Sequence, residues 1–325
     1  MFADRLTTTV QAVLDVLAGV PLEKAAAGAD LEPADLAAAT AVYQQAGQQA
    51  LARQAGPPAW QQLYLHFTDW NTAEQTVADH LLPVLDRAQA DGRITGWWFI
   101  RKNPCWRLRL LPSTPTEQTP PAITDALNNL ASADTIRAWW PGTYEPETAA
   151  FGGTTSMTIA HTLFHADSHA VLTTPRGALG RRELSVLLCS TLMRAAALEW
   201  YEQGDAWHRV TRDRPLPDGT DPDKIHHLAR TLTPLLTADT NPASPLLQSD
   251  RTLRPATAWV AAFRNAGTAL GTAARDGTLE RGLRDVIAYH VIFHWNRLGL
   301  AAHTQSVLAH AARTAILHPT EEAVP

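Results

Sequence analysis

Two arginines, Arg107 and Arg109, are spaced so that together they could bind an anion. They alternate with Trp106, Leu108 and Leu110, which predicts a strand with the apolar residues on one face and the arginines on the other. Side chains two residues apart on a strand are roughly 6–7 Å apart. A carboxylate or phosphate suits this spacing, because each guanidinium can donate two parallel hydrogen bonds. A solvated face paired with Asp or Glu is the alternative.

A second polar group lies near the C-terminal end of the chain. His290, His294 and Arg297 are spaced i, i+4 and i, i+3, so they share one face of a predicted helix. A histidine beside an arginine in a partly buried helix is expected to stay neutral near pH 7, as a general base must. The alternative is a helix that lines the core with its polar groups satisfied.

A third group lies between residues 161 and 169. His161 and His165 have the i, i+4 spacing of two metal ligands, but a zinc site needs a third ligand and no His-Glu-x-x-His motif is present. Asp167 and Ser168 could orient an imidazole, bind a peptide or form a buried polar node. We therefore expect no metal.

Two other stretches have both a functional and a structural interpretation. The glycines of Phe151-Gly152-Gly153 precede a predicted helix, where the backbone could approach a ligand or form a tight turn. The aromatic and acidic stretch 200–208 is predicted to end a helix, with Gly204 near its C-terminus. It could line a peptide groove or pack in the core.

The elements that must position these residues follow the order β-α-β-β-α-β from residue 60. This order predicts a ferredoxin-like split βαβ layer and an α+β fold class. The second half of the chain is predicted to form the helical part on which this layer packs. Its predicted helices cover 156–173, 181–204, 223–237, 255–277 and 280–315, the last with a possible break at Gly299.

Residues 1–55 are predicted to form a small helical, helix-turn-helix-like docking unit, separate from a domain over 60–315. Residues 33–52 contain no Lys or Arg, which argues against DNA binding. The net charge of −5 argues against a general nucleic-acid coat. Two distant cysteines, no long apolar run and no basic, apolar N-terminal stretch favour a cytoplasmic protein.

An ordered set of motifs resembles the C-terminal domain of lantibiotic dehydratases, whose stand-alone form is called a thiopeptide-type bacteriocin biosynthesis protein. The resemblance covers roughly residues 60–315. The motifs are Trp98-Phe99-Ile100-Arg101, Arg107-Leu108-Arg109, Tyr144-Glu145-Pro146-Glu147, Phe151-Gly152-Gly153, Asp167-Ser168 and His294-x-Asn296-Arg297.

The resemblance implies the small subunit of a split dehydratase that modifies a ribosomally made precursor peptide carrying a leader. A large partner would transfer glutamate from glutamyl-tRNA to Ser or Thr, and this chain would eliminate it to leave dehydroalanine or dehydrobutyrine. No cofactor is implied, and a homodimer is compatible with the family.

The resemblance also implies roles for individual residues. His294 would be the catalytic base, and Arg107 and Arg109 would hold the glutamyl carboxylate. The implied substrate-binding and orienting residues are Arg101, Tyr144, Glu147, Asp167, Ser168, Asn296 and Arg297.

One departure from the family concerns Ala150. Elimination domains often read Arg-Tyr-Gly-Gly where this chain reads Ala150-Phe151-Gly152-Gly153, so another arginine, Arg101, Arg181 or Arg182, would have to replace the missing one. The same fold also serves thiopeptide pyridine synthases, which need no glutamate clamp. A pyridine synthase is therefore the alternative, and a non-catalytic accessory subunit is the third hypothesis.

Overall fold

Four strands of the described part of the chain form one antiparallel sheet in the order β2-β3-β1-β4. The strands are β1 (Gln61–Phe67), β2 (Ile94–Lys102), β3 (Cys105–Pro112) and β4 (Ile136–Gly142). The computed structural model describes residues 2–54, 60–114, 119–175, 179–247 and 253–318. Because β3 lies between β1 and β2, this is the split βαβ arrangement that the sequence predicts. The prediction of an α+β fold class is confirmed.

The helices that belong to this layer connect its strands. A continuous helical segment between β1 and β2 consists of α4 (Ala73–Thr76), a π-helical turn (Val77–Leu81) and α5 (Leu82–Ala90). The connection from β3 to β4 contains α6 (Pro121–Ser132). Both pack on one face of the sheet through a shared apolar core. That core includes Leu63, Leu65, Trp106, Leu108 and Leu110 from the strands and Leu81, Leu85, Ile123 and Leu127 from the helices.

The opposite face of the sheet carries the polar residues of β3. Trp98 of β2 lies opposite Arg109 in the register, and Ile100 lies opposite Arg107. Successive side chains of a strand point to opposite faces, so both arginines lie on the face away from the α5–α6 core. The alternation predicted for β3 is therefore present in the structure.

In the described residues of the second unit (Trp60–Pro325), seven further α-helices accompany this layer. They are α7 (Thr154–Thr173), α8 (Arg181–Ala195), α9 (Trp200–Asp213), α10 (Pro222–Thr237), α11 (Thr257–Arg275), α12 (Leu283–Leu298) and α13 (Ala302–Leu317). No helix in the described ranges is long and apolar enough to cross a membrane.

Two predicted helices are divided in the structure. The prediction of one helix over 181–204 is wrong, because Ala197 has a positive φ of 64° and Glu199 starts a new helix with a capping box. Gly204 consequently lies inside α9, against Ile316 and Leu317, and not at a helix end. The possible break at Gly299 is real, since its φ of 75° separates α12 from α13.

The N-terminal unit comprises Met1–Ala59, and the second unit comprises Trp60–Pro325. The first contains α1 (Phe2–Leu17), α2 (Leu22–Gly28) and α3 (Pro33–Gln54). Its small core consists of Ala12, Val13, Ala25, Ala26 and Leu36.

The free edge of β2 is covered by side chains from α7 and α12. His165 Nδ1 lies 2.7 Å from the carbonyl oxygen of Trp97, and the N–H of Phe99 donates to Ser168 Oγ at 3.1 Å. Arg297 Nε donates to the carbonyl oxygen of Phe99 at 3.0 Å. These bonds satisfy backbone groups that an edge strand would otherwise leave open, and they fix both helices relative to the sheet.

The turn before α7 depends on Gly152. Its φ is +81°, and a Cβ at this position would lie 2.9 Å from Cγ2 of the buried Val286. We expect Gly152→Ala to lower the free energy of unfolding by about 2–4 kcal/mol, through backbone strain and overpacking. Gly92→Ala is the matched control, because Gly92 has a φ of +67° with nothing within 4 Å. Equal losses in urea denaturation would mean that the contact with Val286 contributes nothing.

Candidate functional site

Arg109 is buried between two aromatic rings on the polar face of the sheet. Its guanidinium carbon lies 4.1 Å from the ring centroid of Trp98 and 4.7 Å from that of Tyr144. Only 5% of the residue is exposed, and its Nε and Nη1 have no hydrogen-bond partner among the described residues. A buried guanidinium with free donors is costly. This position is therefore suited to an anionic ligand that would supply the missing acceptors.

Tyr144 connects Arg109 to a histidine of α7. Its hydroxyl lies 2.8 Å from His161 Nε2. The ring of Trp60 lies 4.7 Å from the His161 ring and 6.4 Å from that of Trp98, between centroids. We call Arg109, Trp98, Tyr144, His161 and Trp60 the Arg109 cluster.

Burial determines the protonation states in this cluster. It lowers the pKa of Arg109 to about 10, so the side chain keeps its charge at neutral pH. Burial, with a smaller contribution from Arg109, lowers the pKa of His161 to about 4. Burial also raises the pKa of Tyr144. At pH 7 the cluster therefore combines a cation with a neutral imidazole and a neutral phenol.

Arg107 extends the cationic face toward solvent. It is partly buried, and its guanidinium carbon lies 5.5 Å from the ring centroid of Tyr64. Tyr64 in turn stacks on Trp140, which is 41% exposed. Glu147 is exposed as a residue, but its carboxyl is partly desolvated, which raises its pKa more than the nearby Arg109 lowers it. This rim of rings and charges is accessible to a peptide.

Asp167 is at the centre of a second, fully buried group. His294 Nδ1 lies 3.0 Å from both carboxylate oxygens of Asp167, and Trp259 Nε1 donates to Oδ1 at 2.7 Å. Arg297 Nη1 donates to Oδ2. We call Asp167, His294, Arg297 and Trp259 the Asp167 cluster. It joins α7, α11 and α12.

Charges in the Asp167 cluster compensate each other. Burial by itself would raise the pKa of Asp167, but His294 and Arg297 hold it below its usual value. Burial lowers the pKa of Arg297, and Asp167 opposes that shift. Arg297 also lies over Trp98, with its guanidinium carbon 5.8 Å from the ring centroid. Trp98 therefore contacts both clusters, through Arg109 on one side and Arg297 on the other.

The predicted residues are therefore divided between two places. Arg109 and the partly buried Tyr144 lie in the Arg109 cluster, next to the exposed rim, whereas Asp167, His294 and Arg297 are 0–1% exposed in the Asp167 cluster. His294 Nε2 is buried and has no hydrogen-bond partner among the described residues. Two further predicted residues are engaged in other hydrogen bonds: Ser168 accepts from the backbone of β2, and Asn296 Oδ1 accepts from Gln305 at 3.0 Å.

The sequence pattern did not identify the partners of His161. It showed only that His161 and His165 have the spacing of two metal ligands, a role that we did not expect. In the structure, His161 meets Tyr144 and His165 binds the backbone of β2. No group of three potential ligands lies together in the described ranges. Trp60 and Trp98 were predicted only as strand residues. Their place in the Arg109 cluster depends on which face of the sheet α7 covers, and the periodicity of a strand does not predict that.

His290 is buried without a hydrogen bond on either ring nitrogen in the described structure. Burial lowers its pKa to about 3, below the usual value of about 6.5. Between these values the unfolded chain binds a proton that the folded chain does not, so stability falls as the pH drops below about 6.5. In urea denaturation, wild type should lose roughly 2 kcal/mol more than His290→Leu between pH 7 and pH 5. An equal loss in both proteins would contradict this explanation.

A separate cavity of about 620 Å³ lies along α7, beside α5 and α11. None of the residues of the Arg109 cluster lines it. The residues that line it are Asp86, Gln89, His165, Ala166, His169, Ala170, Thr173, Thr174, Pro255, Ala258 and Trp259. The candidate site is therefore the Arg109 cluster and its rim, and not this cavity.

A family model described as the C-terminal part of lantibiotic biosynthesis dehydratases matches residues 60–316. This chain belongs to the lantibiotic dehydratase C-terminal family. Members take part in the enzymatic modification of ribosomally made peptides. A search of the curated proteins gave no match.

Solved structures share the fold of this dehydratase C-terminal domain. The tRNA-dependent lantibiotic dehydratase MibB from Microbispora sp. 107891 is 19% identical, with a TM-score of 0.55 over 81% of this chain. TsrL is 16% identical, with a TM-score of 0.58 over 80% of this chain. TbtD, a pyridine synthase of thiomuracin biosynthesis, is 12% identical, with a TM-score of 0.50 over 79%. The chain spans 28% of MibB, 95% of TsrL and 97% of TbtD.

Ala150 stands where the resemblance implies an arginine, and two of the residues suggested as substitutes are already engaged. Arg101 Nη2 donates to Glu74 Oε2 at 2.5 Å, and Arg181 Nη1 donates to the same oxygen at 2.7 Å. Arg101 Nε also donates to the carbonyl oxygen of Arg297 at 2.7 Å. These contacts leave Arg109, rather than Arg101 or Arg181, as a buried arginine with free donors, Nε and Nη1, in the described structure. Arg297 Nη2 also lacks a partner there, but Arg297 is already paired with Asp167.

Proposed function

We propose that this protein eliminates glutamate from glutamylated Ser and Thr residues of a ribosomally made precursor peptide. One observation carries the proposal: Arg109 is a charged, buried guanidinium whose Nε and Nη1 lack acceptors in the described structure. A glutamyl carboxylate would supply acceptors in the fork geometry that guanidinium prefers. Elimination also needs a cation that stabilises the departing carboxylate, and a desolvated arginine provides this strongly.

In this proposal, Arg107 and the rings of Tyr64 and Trp140 receive the peptide at the rim. The Asp167 cluster holds Trp98 and β2 in position, because Arg297 packs on Trp98 and bonds to the backbone of β2. His294 was predicted to be the catalytic base. Its burial and its bonds to Asp167 favour a positioning role instead, since Nε2 is buried away from any substrate.

The proposal includes a large partner that glutamylates the peptide. MibB is a tRNA-dependent dehydratase, and this chain spans only 28% of it. The proposal assigns the glutamate-transfer step to that partner. A precursor peptide with a leader is the proposed substrate, and no cofactor is needed for elimination.

A pyridine synthase is the second candidate, and two observations favour it. Ala150 stands where many elimination domains have arginine, and the chain spans 97% of the pyridine synthase TbtD. Such an enzyme would join two dehydroalanines by a formal [4+2] cycloaddition and then release water and the leader peptide. The Arg109 cluster would then bind a peptide carboxylate or carbonyl rather than glutamate.

Mass spectrometry of two peptides incubated with the purified protein distinguishes these functions. The first peptide carries glutamylated Ser or Thr, and the second carries a leader and two dehydroalanines. Loss of one glutamic acid per modified site from the first peptide is the expected result. Leader release with a new pyridine absorbance from the second peptide would establish the cyclase instead. No change in either peptide would favour the accessory subunit.

A further inference from the structure

The hydrogen-bonded pair of Tyr144 and His161 lies where elimination needs a proton acceptor. Tyr144 contacts Arg109 through its ring and His161 through its hydroxyl, at 2.8 Å from Nε2. Unlike His294, both side chains are only partly buried. We propose that this pair is the general base of the elimination reaction, an assignment that rests on the proposed function.

The ring contacts hold the pair in one arrangement. Trp60 packs on His161 at 4.7 Å and edge-on against Tyr144 at 6.5 Å, between centroids. Trp98 lies edge-on to Tyr144 at 5.8 Å. Rings fixed on several sides keep a base in place without reorganisation during the reaction. A carboxylate bound to Arg109 would therefore place the neighbouring Cα–H close to the Tyr144 hydroxyl.

The proton-transfer step conserves atoms and charge. The Tyr144 oxygen accepts the Cα proton of the glutamylated residue while its own proton passes to His161 Nε2. The electrons of the Cα–H bond form the Cα=Cβ double bond. The Cβ–O bond breaks, and its electrons leave on the carboxylate of glutamate, next to Arg109. Tyr144 then carries the proton taken from Cα, and the protonated His161 releases its extra proton to solvent, which restores the neutral phenol and the neutral imidazole.

The charges around the pair keep His161 ready to accept a proton. Arg109 from β3 acts on both His161 and Tyr144, and Glu147 from the segment after β4 acts on Tyr144. Arg107 lies one position along the same face of β3. Burial and Arg109 keep the imidazole neutral at pH 7. During the reaction, the departing carboxylate would offset the positive charge that His161 acquires.

The test compares Tyr144→Phe and His161→Gln with wild type on a glutamylated peptide carrying deuterium at Cα. Tyr144→Phe keeps the ring on Arg109 and removes only the hydroxyl. In both variants we expect kcat to fall about 10²–10⁴-fold, as for loss of a general base. Peptide affinity should change less than about threefold, and the deuterium isotope effect should increase, because proton removal becomes slower than the other steps.

Two controls separate chemistry from folding. His169→Gln alters a partly exposed histidine two turns along α7, outside the cluster, and should retain the wild-type rate. Imidazole added to His161→Ala should restore part of the rate. A wild-type kcat in either Tyr144→Phe or His161→Gln overturns the assignment and leaves the proposed function intact. If wild type itself releases no glutamate, the proposed function and the assignment of the general base are both wrong.

Discussion

Replacing Arg109 with methionine is expected to lower the rate of glutamate release about 10²–10³-fold and at the same time to raise the melting temperature. Methionine keeps an apolar stem between Trp98 and Tyr144 but removes the charge. The catalytic loss follows because a preorganised cation at a developing negative charge contributes several kcal/mol. The stability gain follows because Arg109 is buried with free donors, which is unfavourable in the folded chain.

Arg137→Met is the matched control, since Arg137 lies exposed on β4 of the same sheet. It should change neither the rate of glutamate release nor the melting temperature by a measurable amount. The two measurements on Arg109→Met are independent. If activity falls and the protein is also destabilised, Arg109 is a structural residue with an unseen partner. If activity persists, the anion is bound elsewhere.

Replacing Asp167 with asparagine is expected to lower the free energy of unfolding by about 3–5 kcal/mol. Asp167 is fully buried, and it is the acceptor for His294, Arg297 and Trp259. Asparagine has nearly the same shape but leaves the Arg297 guanidinium buried without a counter-charge. Removing one member of a buried ion pair has this cost because the remaining charge cannot reach water. Urea denaturation of both proteins at pH 7 measures the difference.

Asp205→Asn provides the comparison at a more exposed ion pair. Asp205 bonds to Arg209 at 3.2 Å and lies 3.1 Å from Arg284, but all three side chains are at least 25% exposed. The expected loss is below about 1 kcal/mol, because solvent screens these charges. Adding Arg297→Met to Asp167→Asn should recover part of the lost stability. If the double variant is less stable than Asp167→Asn alone, the charge is not the cause.

Local patterns in the sequence were sufficient to predict the arrangement of the strand layer. Alternation in β3 correctly put Arg107 and Arg109 on one face, because the side-chain direction of a strand repeats every two residues whatever it packs against. The order of elements similarly fixed the split βαβ arrangement. Helix ends were less predictable, since the break after α8 depends on a positive φ at Ala197, a residue with no intrinsic preference for it.

The partners of the polar residues were decided by tertiary structure alone. Asp167 and His294 are 127 residues apart in sequence, and their bond exists because α7 and α12 pack side by side. Glu74 engages Arg101 and Arg181 in the same way, from a distant helix. By itself, the sequence determined the family, the fold class and a pair of arginines on one face. Only the folded chain determined which charges are neutralised and which remains free, because contacts between distant segments depend on packing and leave no local periodicity.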